Sequence, residues 1–347
     1  MDKIKLLQLE RKYLTKKNPM SLTSLLLTKK SNIGERLYPK KIEGYTFVKT
    51  LRKTGSKREF NIGIYKNIAE KLLFVKSCEA SPSSFAYKGL VNEVRSYIVM
   101  QKVLLRLGND LPKDLQKVEI PEIYDLIEYR GCLYLFIEFK EGEVASSKAD
   151  HEKIEAYFLV TRYLEALGKF MTNEEKKVFA RRTVCHYAFL FPFLLILAIK
   201  NNPRHTTTIL SGIGIFIKTL ILLHKESYLT LIHRDLHFNN ILINGNKVIL
   251  IDFQLMAWGE ILSEFATTMR YRWGIDGFEN PFLLAIQNRF SNRKNFNEIF
   301  NGLMVNSATH GLIDNSFPEQ TRERWLNLLK YTKNCNRQVK TSMAIQV

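Results

Sequence analysis

Residues 231–253, LIHRDLHFNNILINGNKVILIDF, constrain the fold of this chain more than any other stretch. Short apolar runs at 229–232, 241–243 and 247–251 read as strands. Asn244-Gly245, between the last two, is a strong signal for a two-residue hairpin. Folding that hairpin brings Asn240 and Asp252 to one end of the strand pair and leaves Asp235 on the loop before it. A turn that only reverses the chain in solvent uses Gly, Pro or Ser. This one carries His233, Arg234, Asp235 and Asn240 beside runs that want burial, and an unpaired carboxylate near a core is costly. Two carboxylates and one amide oxygen are hard ligands, suited to magnesium bound together with a phosphate chain. The segment is read as a site.

The pattern around it changes once along the chain. Residues 45–76 alternate and turn like a meander of three strands. Residues 90–107 place apolar side chains at 90, 94, 97, 98, 100, 103, 104 and 107, the spacing of an amphipathic helix. Two more strands, 119–129 and 132–139, flank an Arg130-Gly131 turn. Beyond KEGE, residues 140–143, the periodicity is helical apart from the hairpin. The chain thus divides into a basic N-terminal extension (1–40), a five-stranded part with one helix (41–138) and a mainly helical part (139–347).

Two apolar runs bear on membrane association. AFLFPFLLILAI (188–199) has 12 residues and contains Pro192, whereas a spanning helix takes about 20. ILSGIGIFIKTLILL (209–223) contains Lys218. Both are expected as helices buried in a large domain. The Gly212-Ile213-Gly214 triplet has Ile217 where a dinucleotide loop needs its third glycine, and it lies in a helical pattern, so no such loop is expected.

With 46% hydrophobic residues over 347 positions, the chain can bury a real core in one large domain or two lobes. Cys78, Cys132, Cys185 and Cys335 show no zinc spacing, which points to reduced thiols and a cytoplasmic setting. The first thirty residues lack an apolar region of secretory length, so no signal peptide is expected. Of the net charge of +18, residues 1–60 supply +11, from 16 Lys and Arg against 5 Asp and Glu. Such a segment attracts phosphate-rich partners, among them an anionic membrane surface. No motif for a specific nucleic acid accompanies it.

HRDLHFNN followed by DFQ resembles the catalytic loop and metal-binding aspartate of the protein-kinase-like superfamily. The resemblance is closest to its small-molecule branch, the aminoglycoside phosphotransferase and choline kinase group, with lipopolysaccharide sugar kinases related. His237 stands where protein kinases usually have lysine, and no APE motif follows. The resemblance implies an α+β, bilobal fold with a five-stranded antiparallel N-lobe and a mainly helical C-lobe. It implies ATP and Mg2+ as cofactors and a hydroxyl of a small molecule or glycan as acceptor. By the same resemblance, Lys76, ending the third strand, contacts the nucleotide phosphates, and Glu93 on the next helix holds it. Gly55 and Ser56, in KTGSKRE, cover the phosphates with only one glycine, a departure from the Gly-rich loop. Glu138, Phe139 and Lys140 form the hinge facing adenine. Asp235 is the catalytic base, Asn240 and Asp252 hold metal, and Glu264 opens a helix where the branch usually has aspartate. A protein Ser/Thr kinase and a non-catalytic ATP-binding module are the alternatives.

Overall fold

The structure is a computed structural model and describes residues 38–51, 60–275 and 277–344. Its contacts divide the chain into two compact units. The first comprises residues up to 147, 156–180 and 238–256; the second comprises 148–155, 181–237 and 257 onward.

The first unit opens with strands β1 (Lys41–Ile42), β2 (Tyr45–Thr50), β3 (Asn61–Lys66) and β4 (Leu72–Glu79). Helix α1 (Phe85–Leu107) follows, then β5 (Val118–Glu119), β6 (Ile123–Tyr129), β7 (Cys132–Glu138) and β8 (Glu143–Val144). The main sheet is antiparallel in the order β1-β2-β3-β4-β7-β6. It therefore has six strands where the sequence led us to expect five. The extra one is the two-residue edge strand β1, too short to show any alternation. Tyr65, Leu73, Val75, Ile127, Tyr134 and Phe136 bury one face of the sheet, and Tyr45 stacks on Phe136 with ring centroids 4.1 Å apart. Arg130 and Gly131 both take positive φ, 49° and 73°, the conformation that matches hairpin twist.

Helix α1 starts five residues earlier than its apolar period suggests, because Ser84 accepts a hydrogen bond from the Tyr87 amide at 3.1 Å and caps it. Gly108, at φ 51°, ends it. Its buried side holds Leu90, Val94, Tyr97 and Ile98, and Glu93 lies among them.

Next come α2 (Asp150–Phe170), α3 (Asn173–Val178), β9 (Ala180–Arg182), α4 (Val184–Asn201), α5 (Thr206–Leu210), α6 (Ile213–Glu226) and β10 (Leu229–Ile232). The hairpin β11 (Ile241–Asn244) and β12 (Lys247–Leu250) then returns to the first unit. It sits in a four-stranded sheet, β5-β12-β11-β8, with β5 running parallel to β12. Its turn centres on Gly245, at φ 59°, and Asn246, so the glycine takes the first central position and not the second.

The second unit continues with β13 (Ala257–Glu260), α7 (Leu262–Arg272), α8 (Glu279–Phe290), α9 (Phe296–Gly311) and α10 (Glu319–Ala344). Strands β10, β13 and β9 form its small sheet. Helix α9 is buried along most of its length and packs against α4, α6, α7 and α10. Where α9 crosses α6, Gly302 faces the fully buried Thr219, whose hydroxyl donates to the Glu298 carbonyl at 2.8 Å. A Cβ on residue 302 would overlap the Thr219 side chain. Gly302→Ala is expected to destabilise the protein by about 1–3 kcal/mol through overpacking, although alanine is the better helix former by about 1 kcal/mol. Thermal unfolding would read this loss, and Thr219→Ala in the same chain should recover part of it.

The apolar run in α4 is not buried as expected. Tyr187, Phe191, Leu194 and Ala198 face inward, while Phe189, Phe193 and Ile196 are exposed. The helix is apolar on every side, so its composition does not say which faces are covered.

Candidate active site

In the first unit, β4 and α1 bring the two residues of the sequence reading together. Lys76 Nζ donates to both carboxylate oxygens of Glu93, each at 2.9 Å, and to Asp252 Oδ1 at 2.8 Å. Glu93 has no exposed surface, Lys76 is 6% exposed, and the Asp252 side chain keeps a quarter of its surface. Burial of this depth disfavours a charged ammonium, but the charges of Asp252 and Glu93 outweigh it and hold Lys76 protonated. Burial pushes the Glu93 carboxyl up, opposed by the Lys76 ammonium.

Asp252 follows β12 in the left-handed region, at φ 68° and ψ 65°, where a non-glycine residue is under strain that surrounding contacts must hold. Those contacts can be named. The Ile251 amide donates to the Asn240 carbonyl at 3.1 Å, tying the two ends of the hairpin together. Phe253 is fully buried with its ring edge-on to Tyr97 of α1. Asn92 of α1 donates to the Gln254 carbonyl at 2.6 Å. Asn92 was missed in the sequence; its only signal is adjacency to Glu93. Gly89, one turn earlier, would carry a Cβ 3.3 Å from Phe60 and 3.4 Å from Gln254, so this face of α1 is narrow for a reason.

Asn240 is buried at the start of β11, in a short helical turn with Phe238. Among the described residues no group of three His, Cys, Asp or Glu could hold a metal ion by itself. The available donors are the Asp252 carboxylate and the Asn240 amide, a set that fits a hard cation sharing its remaining positions with phosphate oxygens and water.

Leu135 of β7 lies opposite Lys76, and Glu138 lies three residues further along, a distance of about 10 Å at strand rise. The Glu138 amide donates to the Glu122 carbonyl at 2.8 Å, and its carboxylate accepts from Lys71 and from the Glu122 amide. Lys140 is 3.2 Å from the same carboxylate, and Phe139 between them is half-buried. Gly55 and Ser56, with Lys57 and Arg58, lie outside the described residues, as do residues 1–37 of the basic extension.

Asp235 belongs to the second unit, on the loop after β10. Its neighbour Arg234 takes φ 68°. The Arg234 amide donates to Glu264 Oε1 at 2.6 Å, and Thr268 Oγ1 donates to the Leu236 carbonyl at 2.9 Å, so α7 clamps the loop from both sides of Asp235. Glu264 thus binds the loop backbone. Burial pushes its carboxyl up to about 7 against the pull of that amide. His233 is fully buried, and His237 Nε2 stands 3.8 Å from Asp235 Oδ2, beyond hydrogen-bond length.

A lysine held by a helix glutamate, an aspartate after a short hairpin and an asparagine at that hairpin's entry are the residue set expected for nucleotide handling in a kinase-like enzyme. The chain matches the sequence model of the phosphotransferase enzyme family over residues 94–293, more than half its length, and belongs to that family. Solved structures share its kinase-like fold. Aminoglycoside phosphotransferase APH(4)-Ia, as a thermostable mutant with AMP-PNP and hygromycin B, superposes with TM-score 0.58 at 12% identity, covering 83% of this chain and 94% of that one. The APH(2")-IIa complex with streptomycin and ATP gives TM-score 0.52 at 14% identity, covering 82% and 92%. The amicoumacin kinase hAmiN, with AMP-PNP and Ca2+, gives 0.51 at 11%, covering 85% and 89%. No curated protein matches the chain by sequence.

Proposed function

We propose that this phosphotransferase moves the γ-phosphate of Mg-ATP to a hydroxyl of a small molecule or glycan. The observation that carries the reading is the buried Lys76–Glu93–Asp252 cluster, whose desolvation cost a purely structural site has little reason to meet. Lys76 meets the α- and β-phosphates, and Glu93 fixes its rotamer. Asp252 and Asn240 hold the divalent cation, which when bound neutralises charge on the phosphate oxygens. Because both the amide and the carboxylate of Glu138 are engaged, adenine is met by the backbone from Glu138 through Phe139 to Lys140. Gly55 and Ser56 supply amides over the phosphates. Asp235 orients the acceptor hydroxyl and takes its proton. The acceptor oxygen forms the new bond to phosphorus, the bond from phosphorus to the β–γ bridging oxygen breaks, and ADP leaves.

The test adds magnesium and γ-labelled ATP with purified protein to a whole-cell extract, then separates metabolite, lipid and glycan, and protein fractions. Label in the metabolite or glycan fraction, absent with Asp235→Asn, is the expected result. Label in protein alone would replace the reading with a protein kinase. No label anywhere, despite ATP binding, would remove it.

We further propose that the enzyme docks peripherally on an anionic membrane surface. Phe189, Phe193 and Ile196 of α4 and Ile217 and Ile221 of α6 are each about half exposed or more, at helical spacing, and α4 is apolar enough to meet the hydropathy of a membrane helix while only 22% buried. From 184 to 226 the one acidic residue is Glu226, against Lys200, Arg204, Lys218 and Lys225. Apolar surface rimmed by positive charge suits anionic lipid. Co-flotation with vesicles rich in phosphatidylserine should fall at least severalfold in Phe193→Ser/Ile196→Ser. Equal flotation of the two proteins, or loss of a dimer in its place, would overturn the proposal.

A further inference from the structure

The second unit gathers positive charge where the proposed base is. Arg182 ends β9, beside β13, where a side chain on Gly259 would meet Arg182 Cβ at 3.2 Å. Arg234 precedes Asp235. Arg270 lies near the end of α7, 6% exposed, with its guanidinium 4.4 Å from the Tyr271 ring centroid. That ring in turn meets the His237 imidazole at 6.5 Å, and His237 is the neighbour of Asp235. Arg182 acts on the charge of Arg234, and all three arginines act on that of His310, so three elements bring positive charge to one region of this unit.

Their hydrogen bonding is incomplete. Arg270 Nη1 donates to the Ser307 carbonyl at 3.1 Å and to His310 Nδ1 at 3.0 Å, but its buried Nε has no partner. The buried Nε of Arg234 and Nε2 of His186 have none either. Buried donors are rarely left unmatched unless something else meets them. Two carboxylates, Asp235 and Glu264, lie near three guanidinium groups; Glu264 gives Oε1 to the loop amide, and burial drives it toward its neutral form.

His310 keeps exposed surface, yet desolvation, followed by the charges of Arg270, Arg182 and Arg234, holds it at about 3. His186 is held at about 4 by desolvation and then by Arg182 and Arg234. Both side chains are thus crowded by neighbours and still reach solvent. Both imidazoles are neutral at pH 7, so they add donors and acceptors without adding charge.

We infer that the acceptor carries an anionic group, a phosphate or a carboxylate, held by the guanidinium groups of Arg182, Arg234 and Arg270 in the unit that bears Asp235. The inference rests on the kinase reading for the word acceptor, though not for the site itself. Arginine's planar fork of N–H donors matches both groups. A cationic acceptor would be repelled by the same three charges.

The experiment titrates inorganic phosphate, and separately acetate, into the full chain saturated with Mg-AMP-PNP, followed by calorimetry. One saturable site for at least one anion is expected. Arg182→Gln, at a part-exposed position, should weaken it about tenfold or more while AMP-PNP affinity stays unchanged. Arg270→Lys keeps the charge and loses the fork, and should weaken it as well. Which anion binds names the group. Absence of a saturable site, or equal binding by wild type and both variants, would overturn the inference. Failure of AMP-PNP to bind the wild type would instead sink the kinase reading, and the same variant comparison without nucleotide would still decide the anion site.

Discussion

Asp235→Asn is expected to lower turnover by about 10²–10⁴-fold, the usual contribution of a positioned general base, with ATP affinity nearly unchanged. The substitution keeps the shape of the side chain, so the backbone bonds that clamp the loop, from the Arg234 amide to Glu264 and from Thr268 to the Leu236 carbonyl, should persist. What it removes is the capacity to accept the acceptor's proton as the new bond forms. The residues proposed for nucleotide binding, Lys76, Asn240 and Asp252, lie in the other unit, which is why affinity and turnover should separate. Single-turnover transfer beside a direct nucleotide titration reads both quantities. Wild-type turnover in the variant would show that Asp235 is not the base.

The second large effect concerns stability as well as catalysis. Lys76→Met leaves Glu93, fully buried, facing Asp252 with no cation between them. Breaking a buried ion pair by removing one partner costs about 3–5 kcal/mol, so the unfolding midpoint should drop sharply and transfer should fall with it. Lys76→Met/Glu93→Leu should regain most of the stability, since an apolar pair replaces the stranded charge, but none of the transfer. The pH dependence has a definite sign. Without the ammonium, burial and the Asp252 charge hold the Glu93 carboxyl above its unfolded value. The folded single variant then retains a proton that its unfolded chain gives up. Its stability is fully present below about pH 4.5 and is lost as pH rises through the folded value. The deficit against wild type should therefore shrink on acidification. A single variant as stable as wild type at pH 7 would mean that the cluster does not carry the energy assigned to it.

Much of the first unit was legible because strands and helices write their exposure into sequence. The alternation over β3 and β4, the spacing of Leu90, Val94, Tyr97 and Ile98, and the two glycine turns are local signals, and each element stands close to where its period puts it. The polar loop after β10 stood out for a different reason: polar chemistry beside apolar strands has few structural uses. Edge strand β1 was invisible because two residues have no period. The parallel pairing of β5 with β12, more than 120 residues apart, carries no local mark at all. The exposed flank of α4 was misread because a helix apolar on all sides looks the same whether its neighbours cover it or not.

The sequence by itself determined which residue types could handle a nucleotide and in what order they arrive: Lys76, Glu93, Asp235, Asn240, Asp252. Order is a property of the chain, and no fold can change it. Only the tertiary structure decided that Lys76 reaches across 176 positions to Asp252 at 2.8 Å, and that Arg182, Arg234 and Arg270, from three separate stretches, all act on the charge of His310. Distances between residues far apart in the chain are set by sheet register and helix packing. Those are collective outcomes of burying the whole core, and no single stretch encodes them.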